Sequence, residues 1–119
     1  MKVVFPTNDQ KNIAPKIGLA KGFLIIDTQT DLKKFIENER IKKIINKKEK
    51  LSGECGEHGL GIGQFLPKKL KELNVELFVA KFFGEGMLGN LDLYKIKTYI
   101  TDKKDIKKVL EEIKEKYGN

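Results

Sequence analysis

The sequence predicts an α/β protein in which a five-stranded mixed sheet lies between two layers of helices. Three features predict this fold. The first third of the chain holds only strand-like apolar runs, and the remainder alternates helix-like with strand-like segments. The polar connection at 28–31 is also too short for a crossover, so it joins two antiparallel strands.

The first three strands are predicted in the N-terminal part of the chain. Lys2 to Pro6 is a short apolar run that stops at a polar loop covering 7–18. Phe23 to Asp27 is a strongly apolar second strand, and 33–38 alternates well enough for a third. The second and third strands therefore form a hairpin.

The first amphipathic helix is predicted at 62–73. Leu66, Leu70 and Leu73 recur at helical spacing, with lysines and a glutamate on the opposite face. Pro67 lies inside this pattern. Either the helix kinks there, or a glycine-rich turn gives way to a helix that has Pro67 at its first position.

The most continuous apolar run, 75–83, follows this helix and predicts a central parallel strand buried on both faces. Residues 84–90 predict a second glycine-rich turn. A short helical segment after it contains three leucines, Leu88, Leu91 and Leu93.

The chain ends in a fifth strand and a last helix. The strand is predicted at 97–101, and Thr101 or Asp102 is expected to cap the helix. Four apolar residues at helical spacing predict its buried stripe: Ile106, Val109, Leu110 and Ile113.

If the hairpin strands lie on one side of strand one and strands four and five on the other, the sheet order is 3-2-1-4-5, with only strand two reversed. Right-handed crossovers before strands four and five make those strands parallel to their partners. Strands one, three and four then end at one edge, where the loops 7–18, 39–61 and 84–89 converge. Ligands of open α/β sheets bind at such an edge.

Composition favours one soluble domain covering residues 1–119. The chain carries 24 basic and 17 acidic residues, a net charge of +7, and every basic residue except Arg40 is lysine. This mixture favours a charged surface of the thermophile type over a nucleic-acid interface, which usually also uses arginine. No apolar signal core or basic presequence follows Met1, so we expect a cytoplasmic protein without a membrane segment.

The stretch 52–64 holds the only cysteine, Cys55, the only histidine, His58, and five glycines. Both side chains are soft-metal ligands, and a single cysteine makes no intrachain disulfide, which fits a reducing compartment. Two ligands are too few for a closed tetrahedral site. The glycines do not form a nucleotide-binding loop, because no Gly-Lys-Ser/Thr follows them.

The chain resembles the dinitrogenase iron-molybdenum cofactor family. The resemblance spans nearly the whole chain and rests on four stretches in this order: Met1 to Thr7, Ala14 to Ala20 before the second strand, Leu70 to Ala80, and Gly84 to Gly89. It implies a ribonuclease-H-like α/β/α sandwich and a binding role instead of catalysis. One departure is Ala14-Pro15-Lys16-Ile17-Gly18, where such domains often carry a histidine.

The expected cargo is an iron-sulfur cluster, or iron-molybdenum cofactor or its precursor. Cys55 would be a thiolate ligand, and His58 a second ligand or proton donor. Lys16 would attract an anionic cluster, and four glycines would donate backbone amides: Gly53, Gly56, Gly84 and Gly86. The expected partners are proteins that donate or accept the cluster, and the chain itself is expected to be a monomer or weak dimer.

The basic segment 39–50 supports an alternative function. It could form a strand extension, a short helix or a mobile arm, with three isoleucines at helical spacing. In this alternative, the chain is a protein-protein or nucleic-acid interaction module without metal cargo. It would bind through five lysines: Lys42, Lys43, Lys47, Lys48 and Lys50. Hydrolytic catalysis is disfavoured, because Asp27 and Glu76 are the only acids near the core strands.

Overall fold

The computed structural model describes residues 1–38 and 61–117. Five strands and three helices lie in these ranges. The strands are β1 (Lys2–Thr7), β2 (Gly22–Asp27), β3 (Lys33–Glu37), β4 (Leu77–Ala80) and β5 (Lys97–Ile100), and the helices are α1 (Gly61–Glu72), α2 (Glu85–Leu93) and α3 (Ile106–Lys116). A single turn of 3-10 helix, Ile17–Leu19, lies between β1 and β2. None of these described helices combines the length and apolar character needed to cross a membrane.

The sheet has the order β3-β2-β1-β4-β5, which confirms the predicted topology. β2 is antiparallel to both β1 and β3, whereas β4 is parallel to both β1 and β5. Among the described strands, β2 alone therefore runs opposite to the others. As predicted, β1, β3, β4 and β5 all end at one edge, called the carboxyl edge below.

Strand alternation divides the apolar side chains between the two faces of the sheet. Val4 and Phe78 belong to a buried cluster that also contains Leu70 of α1 and Leu91 of α2. On the other face, a second cluster contains apolar residues of β1, β2 and β4 together with α3: Val3, Phe5, Leu24, Ile26, Leu77, Val79, Ile106, Val109, Leu110 and Ile113. The four apolar residues predicted for the last helix are all buried, and the result is a three-layer sandwich.

Helix α1 resolves the question of Pro67, which lies inside the helix and not at its first position. The helix ends where Asn74 adopts a positive φ of 63° and the N–H of Val75 donates to the Leu70 carbonyl at 3.0 Å. This closing turn occupies residues that the sequence assigned to the next strand. The predicted strand 75–83 is consequently too long, and β4 is confined to Leu77–Ala80.

The predicted glycine-rich turn at 84–90 is wrong, because most of it is helix α2. Gly84 is the extended residue before the helix, and its carbonyl accepts the first helical hydrogen bond from Leu88 N–H at 3.0 Å. The glycines of this segment have no left-handed φ. The prediction gave too much weight to the three glycines. Packing against the sheet stabilises a short helix even when it contains poor helix formers.

The predicted cap of the last helix is also wrong. Asp105 caps α3, with its carboxylate accepting from the N–H groups of Lys107 at 2.9 Å and Lys108 at 3.3 Å. Thr101 instead extends the pairing beyond β5, because its N–H donates to the Ala80 carbonyl at 3.1 Å. The carbonyl of Lys104 accepts from Ile13 N–H at 2.7 Å, which keeps this connection extended up to Asp105.

Gly22 lies so close to neighbouring atoms that its replacement should be costly. An added Cβ would lie 2.5 Å from the Ile36 carbonyl oxygen and 2.3 Å from Cζ of Phe35. We predict that Gly22→Ala lowers the free energy of unfolding by about 1–3 kcal/mol, because the backbone carbonyl cannot move without disturbing the β2–β3 ladder. Urea denaturation measures this change.

Gly89→Ala is the matched control. Gly89 lies in the exposed part of α2 and an added Cβ meets nothing within 4 Å. Alanine there should raise stability by about 0.5–1 kcal/mol through helix propensity. Equal effects of the two substitutions would contradict the close approach at Gly22.

Candidate functional site

The carboxyl edge is bordered by the loop between β1 and β2, the connection from β4 to α2, and the connection from β5 to α3. β1 and β4 are adjacent parallel strands, so the first two of these connections leave the sheet side by side. In α/β folds, ligand sites form at this kind of edge. The carboxyl edge is therefore the candidate site.

A polar turn starts the β1–β2 loop. One carboxylate oxygen of Asp9 accepts from the backbone N–H groups of Lys11 and Asn12, both at 2.8 Å, and the other accepts from the Asn12 amide at 2.9 Å. The Thr7 hydroxyl donates to the Asn12 carbonyl at 2.7 Å and accepts from Gln10 N–H at 2.8 Å. Hydrogen bonds from the backbone of Asn12 and then of Lys11 hold the pKa of Asp9 far below its usual 3.8.

The loop is bridged to the start of α3 and is closed between its own two ends. Asn12 and Asp105 form an isolated β-bridge, which joins the loop to the start of α3. At its far end, the N–H of Lys21 donates to the Asn8 side chain at 2.9 Å. The loop is thus held by the same hydrogen-bonded framework that begins α3.

Asn38 fastens the end of β3 to this loop, and the sequence did not single it out. Its buried side-chain amide donates to the carbonyls of Ala20 at 2.9 Å and Gly18 at 3.3 Å, and its backbone N–H donates to Lys21. A buried asparagine needs such partners. A lone Asn after a strand gives no pattern in the sequence, so only the structure identifies this residue.

Lys16 lies exposed on the loop, immediately before the 3-10 helix. Its neighbour Ile17 is buried in the same cluster as Phe83 and Met87, which flank the start of α2. Chain neighbours of the predicted site residues Lys16, Gly84 and Gly86 thus belong to the same buried cluster, which covers this face of the sheet.

Gly84 and Gly86 lie at the exposed N-terminus of α2. The first helical bond is donated by Leu88, so the N–H groups of the first turn, including that of Gly86, make no bond within the helix. An added Cβ at Gly84 or Gly86 would meet nothing within 4 Å. Packing against the part of the chain that the structure describes therefore does not explain these glycines.

The charge of the loop favours an anion. Lys11, Lys16 and Lys21 are all exposed on it, and the carboxylate of Asp9 is taken up by N–H donors. Clustered lysines raise the local concentration of anions, and a helix N-terminus adds partial positive charge. Among the side chains that the structure describes, no group of three Cys, His, Asp or Glu residues is placed to hold a metal ion.

The remaining predicted site residues, Gly53, Cys55, Gly56 and His58, lie outside the described residues, and so does the whole segment 39–50. Their roles stay predictions, as does the alternative based on the lysines of that segment. The structure does describe both flanks of this region, since Asn38 precedes it and α1 follows it.

We predict that the Asp9 turn makes stability pH-dependent in acid. The folded state lowers the pKa of Asp9 below 3.8, so its contribution is complete above that pH and is lost as the pH falls toward the lowered value. Asp9→Asn should flatten the fall of the unfolding free energy below about pH 4. Part of the fall should remain, because the backbone N–H of Gln29 also lowers the pKa of Asp27. Superimposable pH profiles from urea titrations of the two proteins would refute this role for Asp9.

Comparison with known proteins supports the fold independently. The apo form of the orange protein from Desulfovibrio gigas is similar, with a TM-score of 0.72, 14% identity, and coverage of 97% of this chain and 88% of that one. A solution structure described as a candidate NifB protein from Thermotoga has a TM-score of 0.68, 17% identity, and coverage of 96% and 87%. At these identities the likeness shows the fold alone.

A search of curated proteins gives no match to this chain. The family model described as dinitrogenase iron-molybdenum cofactor matches residues 1–116, nearly the whole sequence. The predicted resemblance is confirmed, and the chain belongs to the dinitrogenase iron-molybdenum cofactor family.

Proposed function

We propose that this protein binds and carries an iron-sulfur cluster, or iron-molybdenum cofactor or its precursor, at the carboxyl edge. It acts as a carrier and not as an enzyme. The observation that supports this most directly is that the exposed Lys16 and the N-terminus of α2 lie next to residues of one buried cluster, Ile17 and Met87. Together they offer positive charge and free N–H donors to one anionic ligand.

The ligand chemistry comes from the segment between β3 and α1. Cys55 supplies a thiolate to iron, and His58 acts as a second ligand or as a proton donor. The backbones of Gly53, Gly56, Gly84 and Gly86 donate N–H groups to cluster sulfides. Lys16 contributes charge only, since its ammonium is not a soft-metal ligand.

A site with so few ligands suits transient binding. Iron in a stable protein-bound cluster is usually held by four thiolates or by a mixed set of equal number. One thiolate and one imidazole leave positions for an external thiol or for a ligand from the donor or acceptor protein. Release then requires breaking few bonds, which a carrier needs.

The proposed setting is the cytoplasm. A reducing compartment keeps Cys55 in the thiol form from which the ligating thiolate is made. The partners are proteins that deliver the cluster and proteins that receive it, and the carrier itself works as a monomer or weak dimer.

Anaerobic reconstitution with iron and sulfide tests this function. Wild-type protein should retain iron and show charge-transfer absorption after desalting, and Cys55→Ala should lose most of both because it removes the thiolate. Lys16→Glu should retain less iron than wild type, because it reverses a charge beside the cluster. Lys34→Glu is the matched control, since it makes the same charge change on β3, away from the carboxyl edge.

Two results would contradict the proposal. Negligible iron retention by both wild type and Cys55→Ala would exclude the cargo, and equal retention by both would exclude the ligand. If Lys34→Glu and Lys16→Glu lower iron retention equally, the net charge of the protein attracts the cluster, and the position of Lys16 at the carboxyl edge does not matter.

A further inference from the structure

β5 is the last described strand on its side of the sheet, and no strand within residues 1–38 or 61–117 pairs with its outer edge. The N–H of Lys97 donates to the carbonyl of Glu76 at 3.0 Å, and the N–H of Thr101 donates to the carbonyl of Ala80 at 3.1 Å. Both N–H groups therefore point toward β4. Backbone groups of successive strand residues point to alternate sides. The N–H and C=O groups of Thr98 and Ile100 therefore point away from β4, toward the open edge.

A groove of about 630 Å³ lies beside the first half of β5, where Lys97 and Thr98 line it. Leu88 and Leu91 of α2 form one wall, and Tyr117, which follows α3, contributes to the other. Ile100 is 65% exposed and Leu88 is 38% exposed, although both are large apolar side chains. An open strand edge beside exposed apolar side chains is the arrangement to which extended segments of other proteins add as a further strand.

The two faces of β5 differ in chemistry. Thr98 and Ile100 pair with Phe78 and Ala80, so their side chains lie on the α2 face of the sheet. Lys97 lies on the α3 face together with Tyr99, whose ring has the ammonium of Lys116 at 5.4 Å. A strand added to this edge would meet apolar groups on one face and lysines on the other.

The charges around the groove indicate what kind of segment would bind beside β5. Lys95 and Lys97 line the groove and are exposed, and Asp92 is the acidic residue among its lining side chains. Lysines on an edge strand oppose pairing with another basic strand, so a second copy of β5 is a poor occupant. A strand that carries carboxylates on the face opposite Lys97 is attracted instead.

We propose that the open edge of β5 docks an extended segment of a partner protein in which apolar residues alternate with acidic ones. The segment adds as a sixth strand, bonded to the backbone of Thr98 and Ile100. Its apolar residues enter the groove beside Leu88, and its carboxylates face Lys97. This docking surface runs along the outer side of β5, and binding there does not require the cargo proposed for the carboxyl edge.

The probe is a blocked peptide of alternating valine and glutamate, compared with one of alternating valine and lysine. Titration of isotope-labelled protein should shift the amide signals of Thr98 and Ile100 with the glutamate peptide, and slow their hydrogen exchange. Lys97→Glu should lower the affinity for the glutamate peptide by about tenfold and raise the affinity for the lysine peptide by a similar factor. Lys34→Glu, with the same net charge on the other edge strand, should leave both affinities unchanged.

Thr98→Pro provides a second variant that keeps the β4–β5 ladder, because the N–H it removes points outward. It should abolish binding of both peptides while the protein stays folded. The proposal is overturned if the glutamate peptide leaves the Thr98 and Ile100 signals unmoved, or if both peptides bind equally. It is also overturned if sedimentation shows that the edge is already occupied in a dimer that Thr98→Pro dissociates.

Discussion

The structure depends on the position of β1, which is buried on both faces between an antiparallel neighbour and a parallel one. Its side chains alternate between the two apolar clusters, so neither helix layer can pack without it. The two directions of pairing also decide where the connections emerge. Because β1 and β4 run in parallel, the loop with Lys16 and the turn with Gly84 leave the sheet at the same edge.

The carboxyl edge combines a fastened loop with an open helix end. The Thr7–Asp9 turn, the Asn12–Asp105 bridge and the buried amide of Asn38 hold the β1–β2 loop in place. Within residues 1–38 and 61–117, no atom lies within 4 Å of a Cβ added at Gly84 or Gly86, at the N-terminus of α2. A binding site of this type is preorganised on one side and accessible on the other, which allows a large anionic ligand to enter and leave.

The sheet order was predictable because it follows from the length of one connection and from the handedness of two crossovers. Element boundaries were less predictable. Glycines at Gly84 and Gly86 favour a turn locally, but packing of Met87 and Leu91 on the sheet makes that segment helical. Asp102 and Asp105 are equally good caps by residue type, and a tertiary hydrogen bond between Ile13 and Lys104 decides between them. Asn38 acts through distant carbonyls, which a single sequence does not reveal.

The most direct test of the account is to locate a bound cluster on the protein. Paramagnetic iron broadens the amide signals of nearby residues, so an isotope-labelled sample can be compared before and after anaerobic reconstitution. Binding at the carboxyl edge predicts loss of signals from Lys16, Gly84 and Gly86, while those of the β2–β3 turn, at the opposite end of the strands, stay sharp. Broadening at the opposite edge of the sheet, with the signals of Lys16 and Gly86 unchanged, would contradict it.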